Sequence, residues 1–477
     1  MEDVEGRTVR EPVAAGLFYP ADPVLLRSQV LELLEGPSRL EKQSIRSIIV
    51  PHAGYSYSGS VAALAYKEIR KGSFKRVVVI SPSHRDFFHG VSVYSGDIYR
   101  SPLGGIAVDG DFCELLAEKC DVARISDKGH SVSSGSNVGE HALEVQLPFL
   151  QCALDEFRLV PLVMGQQDLG TSASLGLALS DLCDDRKTLI VASSDLSHFH
   201  SYEKARSMDL KFLDFLRRFD YFSLSHLMEV GEIEACGGGP VMAALIASEN
   251  MGAGVCEILE YKNSGDVDSG TSDRVVGYAS AVLLESFEKQ TESNVSDLSE
   301  EEKEFLLELS RVSVECAVKG GENSLLKERM PERFLQKAAV FVTLTEHDDL
   351  RGCIGSIVPQ DMLYRTVVSS AVNAALYDPR FNPVTEKDLH HLSYEISVLS
   401  RFKLVADMEE IQIGRHRLLI QSGYSQGLLL PQVATEHSWD RHTFLEQTCI
   451  KASLPRDAWK KPSTDLFLFS AAVFNSR

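Results

Sequence analysis

The chain has 477 residues, 44% hydrophobic and 24% charged, which is ordinary for a soluble globular protein and long enough for two or three domains with real cores. A formal net charge of −20 excludes the basic footprint that nucleic-acid binding needs, and the apolar runs are strand-sized, which excludes a membrane span. The acidic start Met1-Glu-Asp-Val-Glu has no apolar stretch of the signal-peptide kind, so the expected location is cytoplasmic; nine scattered cysteines without a Cys-x-x-Cys pair read as reduced thiols.

The chain opens with Arg10-Glu-Pro-Val-Ala-Ala-Gly-Leu-Phe-Tyr-Pro20, then a helix over about 24–34. Apolar runs at 46–50, 76–80, 91–94, 157–163, 188–193, 255–261 and 275–283 alternate with helical stretches, the pattern of an α/β sandwich. The last two runs alternate in polarity, which predicts a mixed sheet with an antiparallel edge. Residues 126–140 are rich in glycine and serine and read as a surface loop, and Leu143-Glu-Val-Gln-Leu-Pro-Phe-Leu as a helix with Glu140 and His141 near its start. Residues 286–302 are polar and acidic, an interdomain linker, giving domains over 1–285 and 303–477. Ser299 and Glu302 form a capping box for a helix to about residue 318. The second domain reads as α+β: a hairpin across His347-Asp-Asp, a helix over 360–376, antiparallel strands near 394 and 418, and a helix over 442–452.

Three apolar strands end in polar residues. Ile48-Ile-Val-Pro-His52, Val77-Val-Val-Ile-Ser-Pro-Ser-His84 and Leu189-Ile-Val-Ala-Ser-Ser-Asp195-Leu-Ser-His198 would deliver their side chains to one sheet edge if the strands lie parallel, where α/β sheets bind ligands. A single such histidine is more often a hydrogen-bonded structural residue. Two on one plan favour metal ligation, since imidazole suits Fe, Zn, Cu and Ni. Cys236 precedes Gly-Gly-Gly-Pro240 and a helix, where a lowered thiol pKa would favour the metal-binding thiolate; the alternative is a small cysteine packed at a turn. Asp195 is a helix cap or the partner of His198, itself a further ligand or general acid/base. Glu140 and His141 either cap and pack or support the ligands from behind.

Pro51-His-Ala-Gly-Tyr, Ser81-Pro-Ser-His, Gly139-Glu-His-Ala-Leu-Glu-Val-Gln-Leu-Pro-Phe, Ser194-Asp-Leu-Ser-His and Cys236-Gly-Gly-Gly-Pro together resemble the Memo family over residues 8–285. That family is similar in fold to LigB-type class III extradiol dioxygenases, which hold non-haem iron(II) with two histidines and a carboxylate. The Memo pattern has two histidines and a cysteine, so the resemblance implies His52, His84 and Cys236 as ligands of one divalent or redox metal ion. Fe(II) is expected first, with Cu or Zn made competitive by the softer thiolate. The dioxygenase acid/base histidine corresponds to His198, with Asp195 beside it. Leu350-Arg-Gly-Cys-Ile-Gly-Ser, Asn373-Ala-Ala-Leu-Tyr-Asp-Pro-Arg-Phe-Asn-Pro, Glu395-Ile-Ser-Val-Leu-Ser and Leu430-Pro-Gln-Val-Ala are similar to the AMMECR family over about 300–475, where Arg351, Cys353, Asp378 and Arg380 would line a shared cleft.

In prokaryotes such modules resemble parts of one system, AmmeMemoRadiSam, whose radical-SAM protein is then the implied partner. This chain has no Cys-x3-Cys-x2-Cys and is not that component. One reading is an enzyme with metal-dependent redox or dioxygenase-like activity on a small-molecule or peptide substrate. The other is a non-catalytic metal-binding or scaffold protein that docks the radical-SAM enzyme.

Overall fold

A computed structural model describes residues 6–40, 44–69, 74–130, 139–183, 186–267, 273–285, 298–327, 330–405, 407–422, 425–429, 431–461 and 464–476. Most of the expected linker (286–297) and the centre of the glycine/serine stretch (131–138) lie outside the described residues. The chain divides into two compact units, Met1–Lys289 and Gln290–Arg477.

The first unit is built on a nine-stranded mixed sheet. Strands Ile45–Val50, Thr188–Ser193 and Arg76–Pro82 lie side by side and parallel, with Ile48 opposite Val191 and Ile80 opposite Ala192. All three are almost continuously buried, as expected of parallel strands covered on both faces. Arg158–Met164 extends the parallel set, and Val91–Val93 adds to it antiparallel. On the other flank Val275–Glu285 runs antiparallel to Ile45–Val50, and Ala253–Asn263 pairs antiparallel with it in turn. The expected mixed sheet is what forms. Helix Gly238–Asn250 is apolar all round and buried over most of its length, packed on helix Leu169–Leu182. Their approach requires Gly176, where a Cβ would stand 2.8 Å from the Ala243 carbonyl oxygen.

The amino-terminal segment is bound into this unit by a buried ion pair. Val9–Arg10 pairs parallel with Ile98–Tyr99, which turns the Arg10 side chain inward against the Tyr99 ring. Arg10 donates Nη1–H to the fully buried Glu144 carboxylate, Nη2–H to the Glu140 carbonyl at 2.6 Å and Nε–H to the His130 carbonyl at 3.1 Å. Glu144 also accepts from the Tyr19 hydroxyl and from the Val13 and Ala14 amides, both at 2.8 Å. His130 belongs to the stretch read as surface loop, yet it is fully buried beside Tyr94 and Tyr99. Its placement corrects that expectation at Gly129 and His130, while Asp127 and Lys128 are exposed in a turn as expected. Glu140 and His141 precede a short 3-10 turn, Glu144–Gln146, and a helix, Leu147–Ala153, and so stand just outside the helix expected to carry them.

The second unit is α+β with antiparallel pairing throughout. One sheet orders Asp349–Gly355, Ala339–Glu346, Leu392–Leu399 and Ala471–Asn475; the other orders Lys403–Leu404, Asp465–Phe469, Arg417–Ser422 and Ser425–Leu429. On the first, Val340, Val342 and Leu344 alternate inward against helices Glu300–Lys319 and Leu363–Leu376. The Ser299/Glu302 capping box is formed.

Because Glu144 neutralises a guanidinium that has no access to water, removing it strands a buried charge. Glu144→Ala should lower the stability of the first unit by about 3–5 kcal/mol, read as a lowered urea midpoint of the full chain. A change below about 1 kcal/mol would mean that water or a rearranged carboxylate replaces the pair.

Candidate metal centre

The three parallel strands end at one edge of the sheet, and their extensions converge there. His52 follows Val50 by two residues and is 1% exposed. Its amide donates to Asp195 Oδ1 at 2.8 Å, and its Nδ1 lies 2.9 Å from Ser193 Oγ, which leaves Nε2 to point into the site. Gln146 donates Nε2–H to Ser193 Oγ at 2.8 Å and to the Pro51 carbonyl at 3.0 Å, so the strand ends at 50 and 193 are stitched to the segment carrying His141.

His84 extends from strand Arg76–Pro82, and Glu140 takes hold of it twice. The carboxylate accepts the His84 amide and lies 3.1 Å from the ring Nδ1. The same carboxylate accepts the amides of His141 at 2.8 Å and Ala142 at 3.0 Å. One acidic side chain therefore fixes two imidazoles. His52, His84 and His141 each bring a ligand atom within 4.8 Å of the other two. The His141 ring is stacked on Phe18 at 4.1 Å and lies 5.0 Å from the His84 ring, centroid to centroid. Its buried Nδ1 has no hydrogen-bond partner.

Of the residues expected from sequence, His52, His84, His141, Glu140, Asp195 and Cys236 share this site. Cys236 Sγ stands 3.2 Å from His52 Nε2 and accepts the Asp195 amide at 3.2 Å. Gln167 holds its loop, donating to the Cys236 carbonyl at 2.9 Å and accepting from the Gly239 amide at 3.0 Å. Only glycine fits at 237, where a Cβ would lie 2.2 Å from the Ser193 carbonyl oxygen. Asp195 receives the His52 and Ala53 amides rather than a hydrogen bond from the His198 ring. His198 lies on the short strand His198–His200, paired with Val276, at the rim of the centre.

The electrostatics follow from burial. Burial, then the neighbouring His84 and His198, push the His52 imidazole well below its ordinary pKa. Burial and then His52 bring His141 down to about 3. Although burial opposes it, the hydrogen bond from His84 holds Glu140 down to about 2. Burial and then the Asp195 charge push the Cys236 thiol well above its usual value. That overturns the lowered pKa expected from its place before a helix. Desolvation outweighs the helix dipole at this half-buried sulfur. The resulting set, the neutral His52 and His141 imidazoles and the ionised Glu140 carboxylate with a protonated thiol beside them, fits a cation that takes nitrogen donors and displaces a thiol proton.

Sequence reasoning missed Arg10, Phe18, Ser193, Glu144, Gln146 and Gln167. A signal existed for two of them: Glu144 and Gln146 interrupt the apolar run from Leu143 to Leu150, where an unpaired polar group would be costly. In the second unit Cys353, Asp378 and Arg380 do meet. Asp378 accepts the Cys353 amide at 2.9 Å and pairs with Arg380 at 2.7 Å, and the Arg380 Nη2 reaches the Cys353 carbonyl at 3.0 Å. Arg351 instead binds the Asn382 carbonyl at 2.7 Å, between Glu346 and Asp388.

A pH dependence follows. Above the ordinary histidine value of 6.5, folded and unfolded chains both hold His141 neutral; below it only the unfolded chain takes the proton, until about 3. Glu140 adds stability above its ordinary 4.5 that is lost as pH falls toward about 2. The metal-free first unit should therefore lose stability steadily from about pH 6.5 downward in a series of urea titrations, with a shallower fall in His141→Gln. A flat or rising profile over that range would contradict the assignment.

Residues 10–282 match the Memo-like protein family and residues 307–474 match AMMECR1. A MEMO1 family protein of Methanopyrus kandleri is 36% identical over 286 residues, 57% of this chain and 98% of that protein. Another from Methanobrevibacter smithii is 36% identical over 288 residues, covering 58% and 99%, and one from Sulfolobus acidocaldarius is 35% identical over 288, covering 57% and 98%. Among solved structures, an uncharacterized protein of Pyrococcus horikoshii shares 36% identity across 36% of this chain and 91% of its own, with a TM-score of 0.34. The chain belongs to the Memo-like family and carries an AMMECR1 domain after its Memo-like one.

Proposed function

We propose that the Memo-like domain binds one metal ion, Fe(II) or Cu in preference to Zn, and is an oxidoreductase of dioxygenase-like chemistry acting on a small-molecule or peptide substrate. The observation that carries the reading is the convergence of three imidazoles, that of His52 buried, of His141 half-buried and of His84 exposed, whose ligand atoms all lie within 4.8 Å of one another. His52, His84 and His141 would hold the ion, with Cys236 at the His52 side as a further donor once its proton is displaced. When bound, such an ion supplies Lewis acidity and one-electron chemistry toward dioxygen or an organic substrate.

The chain's own residues do the rest. Glu140 accepts from His84 and fixes which ring nitrogen faces inward, the usual way a carboxylate sets a ligating imidazole. Asp195 pins the His52 backbone. His198 would pass a proton to or from a substrate. The joining of the two domains in one chain supports consecutive steps on one substrate, and the radical-SAM protein of the same system is the partner we infer.

The double variant His52→Ala/His84→Ala should lose stoichiometric iron or copper after anaerobic purification, measured by elemental analysis, while His198→Gln retains it. Undiminished metal in the double variant would end the proposal. For the partner, tagged full-length chain should retain the radical-SAM protein on co-expression; its consistent absence from the captured material would remove that inference.

A further inference from the structure

The AMMECR1 domain has a polar face that none of this chemistry uses. On the strand Ala339–Glu346, Val340, Val342 and Leu344 point into the core, so Thr343 lies on the opposite face. Thr343 is paired with Cys353 on one neighbouring strand and with Glu395 on the other. Thiol, hydroxyl and carboxylate thus stand in one row across three strands. Adjacent strands lie about 4.8 Å apart, so the row spans about 10 Å, the length of a small metabolite.

The second sheet joins the first sheet four residues along from Glu395, where Leu399 pairs with Ala471. Strand Asp465–Phe469 pairs with Arg417–Ser422 and continues through Ser470 into Ala471–Asn475, where Asn475 pairs with Glu395. The Ser470 amide donates to Ser400 Oγ at 2.9 Å, and the Ser400 amide to the Ser470 carbonyl at 2.8 Å, closing the junction. Arg417 begins its strand at this junction, and its side chain is 3% exposed. Its Nε and Nη1 are buried without a hydrogen-bond partner, and among the described residues it makes no ion pair. Glu395 is the charged group whose field reaches it. A buried guanidinium with unmet N–H groups is costly unless something completes it. Water would satisfy the hydrogen bonds and leave the charge; an oxyanion does both. The other arginines near the row are already spent, because Arg351 lies between Glu346 and Asp388 and Arg380 is held by Asp378. That pair and the Asp378 bond to the Cys353 amide fix the thiol at the far end of the row, where the Thr343 hydroxyl donates to Sγ at 3.3 Å.

We infer that the AMMECR1 domain binds a small ligand bearing a carboxylate or phosphate group, with the oxyanion on Arg417 and the body of the ligand lying along Thr343 toward Cys353. The site is independent of the metal centre in the other domain.

The test uses the full-length chain, with inorganic phosphate in one arm and succinate in the other. Binding is read as the rise in Tm of the full-length chain. At least one of the two anions should raise Tm, and the arm that responds identifies which oxyanion is taken. Arg417→Met should abolish the rise, and without anion it should melt no lower than the unsubstituted chain, since a buried unpaired charge has been removed. Glu395→Gln, which removes the repelling carboxylate, should enlarge the rise and serves as the deciding variant if Arg417→Met folds poorly. No rise with either anion would overturn the inference, as would an undiminished rise in Arg417→Met or a smaller one in Glu395→Gln.

Discussion

The Memo-like domain depends on one carboxylate. Glu140 accepts the amide and lies against the ring of His84, and it accepts the amide of His141. Two segments far apart in sequence are thereby locked to the same point. Glu140 is itself held from behind, because Arg10 grips its carbonyl while pairing with Glu144. The amino-terminal segment is therefore part of the support of the centre: it contributes the guanidinium that fixes Glu140 and the Phe18 ring that covers His141.

Burial decides the chemistry of the site. Enclosed imidazoles lose their charged form, so His52 and His141 stand neutral well into acid, ready to give a lone pair. The same enclosure keeps Cys236 a thiol until a cation repays the removal of its proton. A cluster of neutral donors beside the Glu140 and Asp195 carboxylates is better suited to a dication than to an anionic ligand. The AMMECR1 domain offers the opposite arrangement at Arg417, a buried cation whose Nε and Nη1 have no hydrogen-bond partner among the described residues. The two domains thus present complementary deficits, one for a metal and one for an oxyanion.

Much of this was legible in the sequence, for a physical reason. Parallel strands buried on both faces must be continuously apolar, and the residues that break such runs at their ends are those that face a ligand. Ile48-Ile-Val-Pro-His52 and Val77-Val-Val-Ile-Ser-Pro-Ser-His84 announced themselves that way, and the structure sets their strands on either side of Thr188–Ser193. His141 was visible as a polar residue, but its approach to the other two depends on the path between Arg10 and Glu144, a contact 134 residues apart in sequence. The row of Thr343, Cys353 and Glu395 depends on strand register, and Arg417 on how two sheets meet at Ser400 and Ser470; neither leaves a local pattern.

The most direct test is metal-edge X-ray absorption on the chain loaded anaerobically with iron or copper. The account predicts an imidazole shell at about 2.0–2.1 Å with a single sulfur near about 2.3 Å, and loss of imidazole scattering in His141→Ala. A spectrum fitted by oxygen donors alone, or one that His141→Ala leaves unchanged, would contradict the convergence of His52, His84 and His141 on one ion.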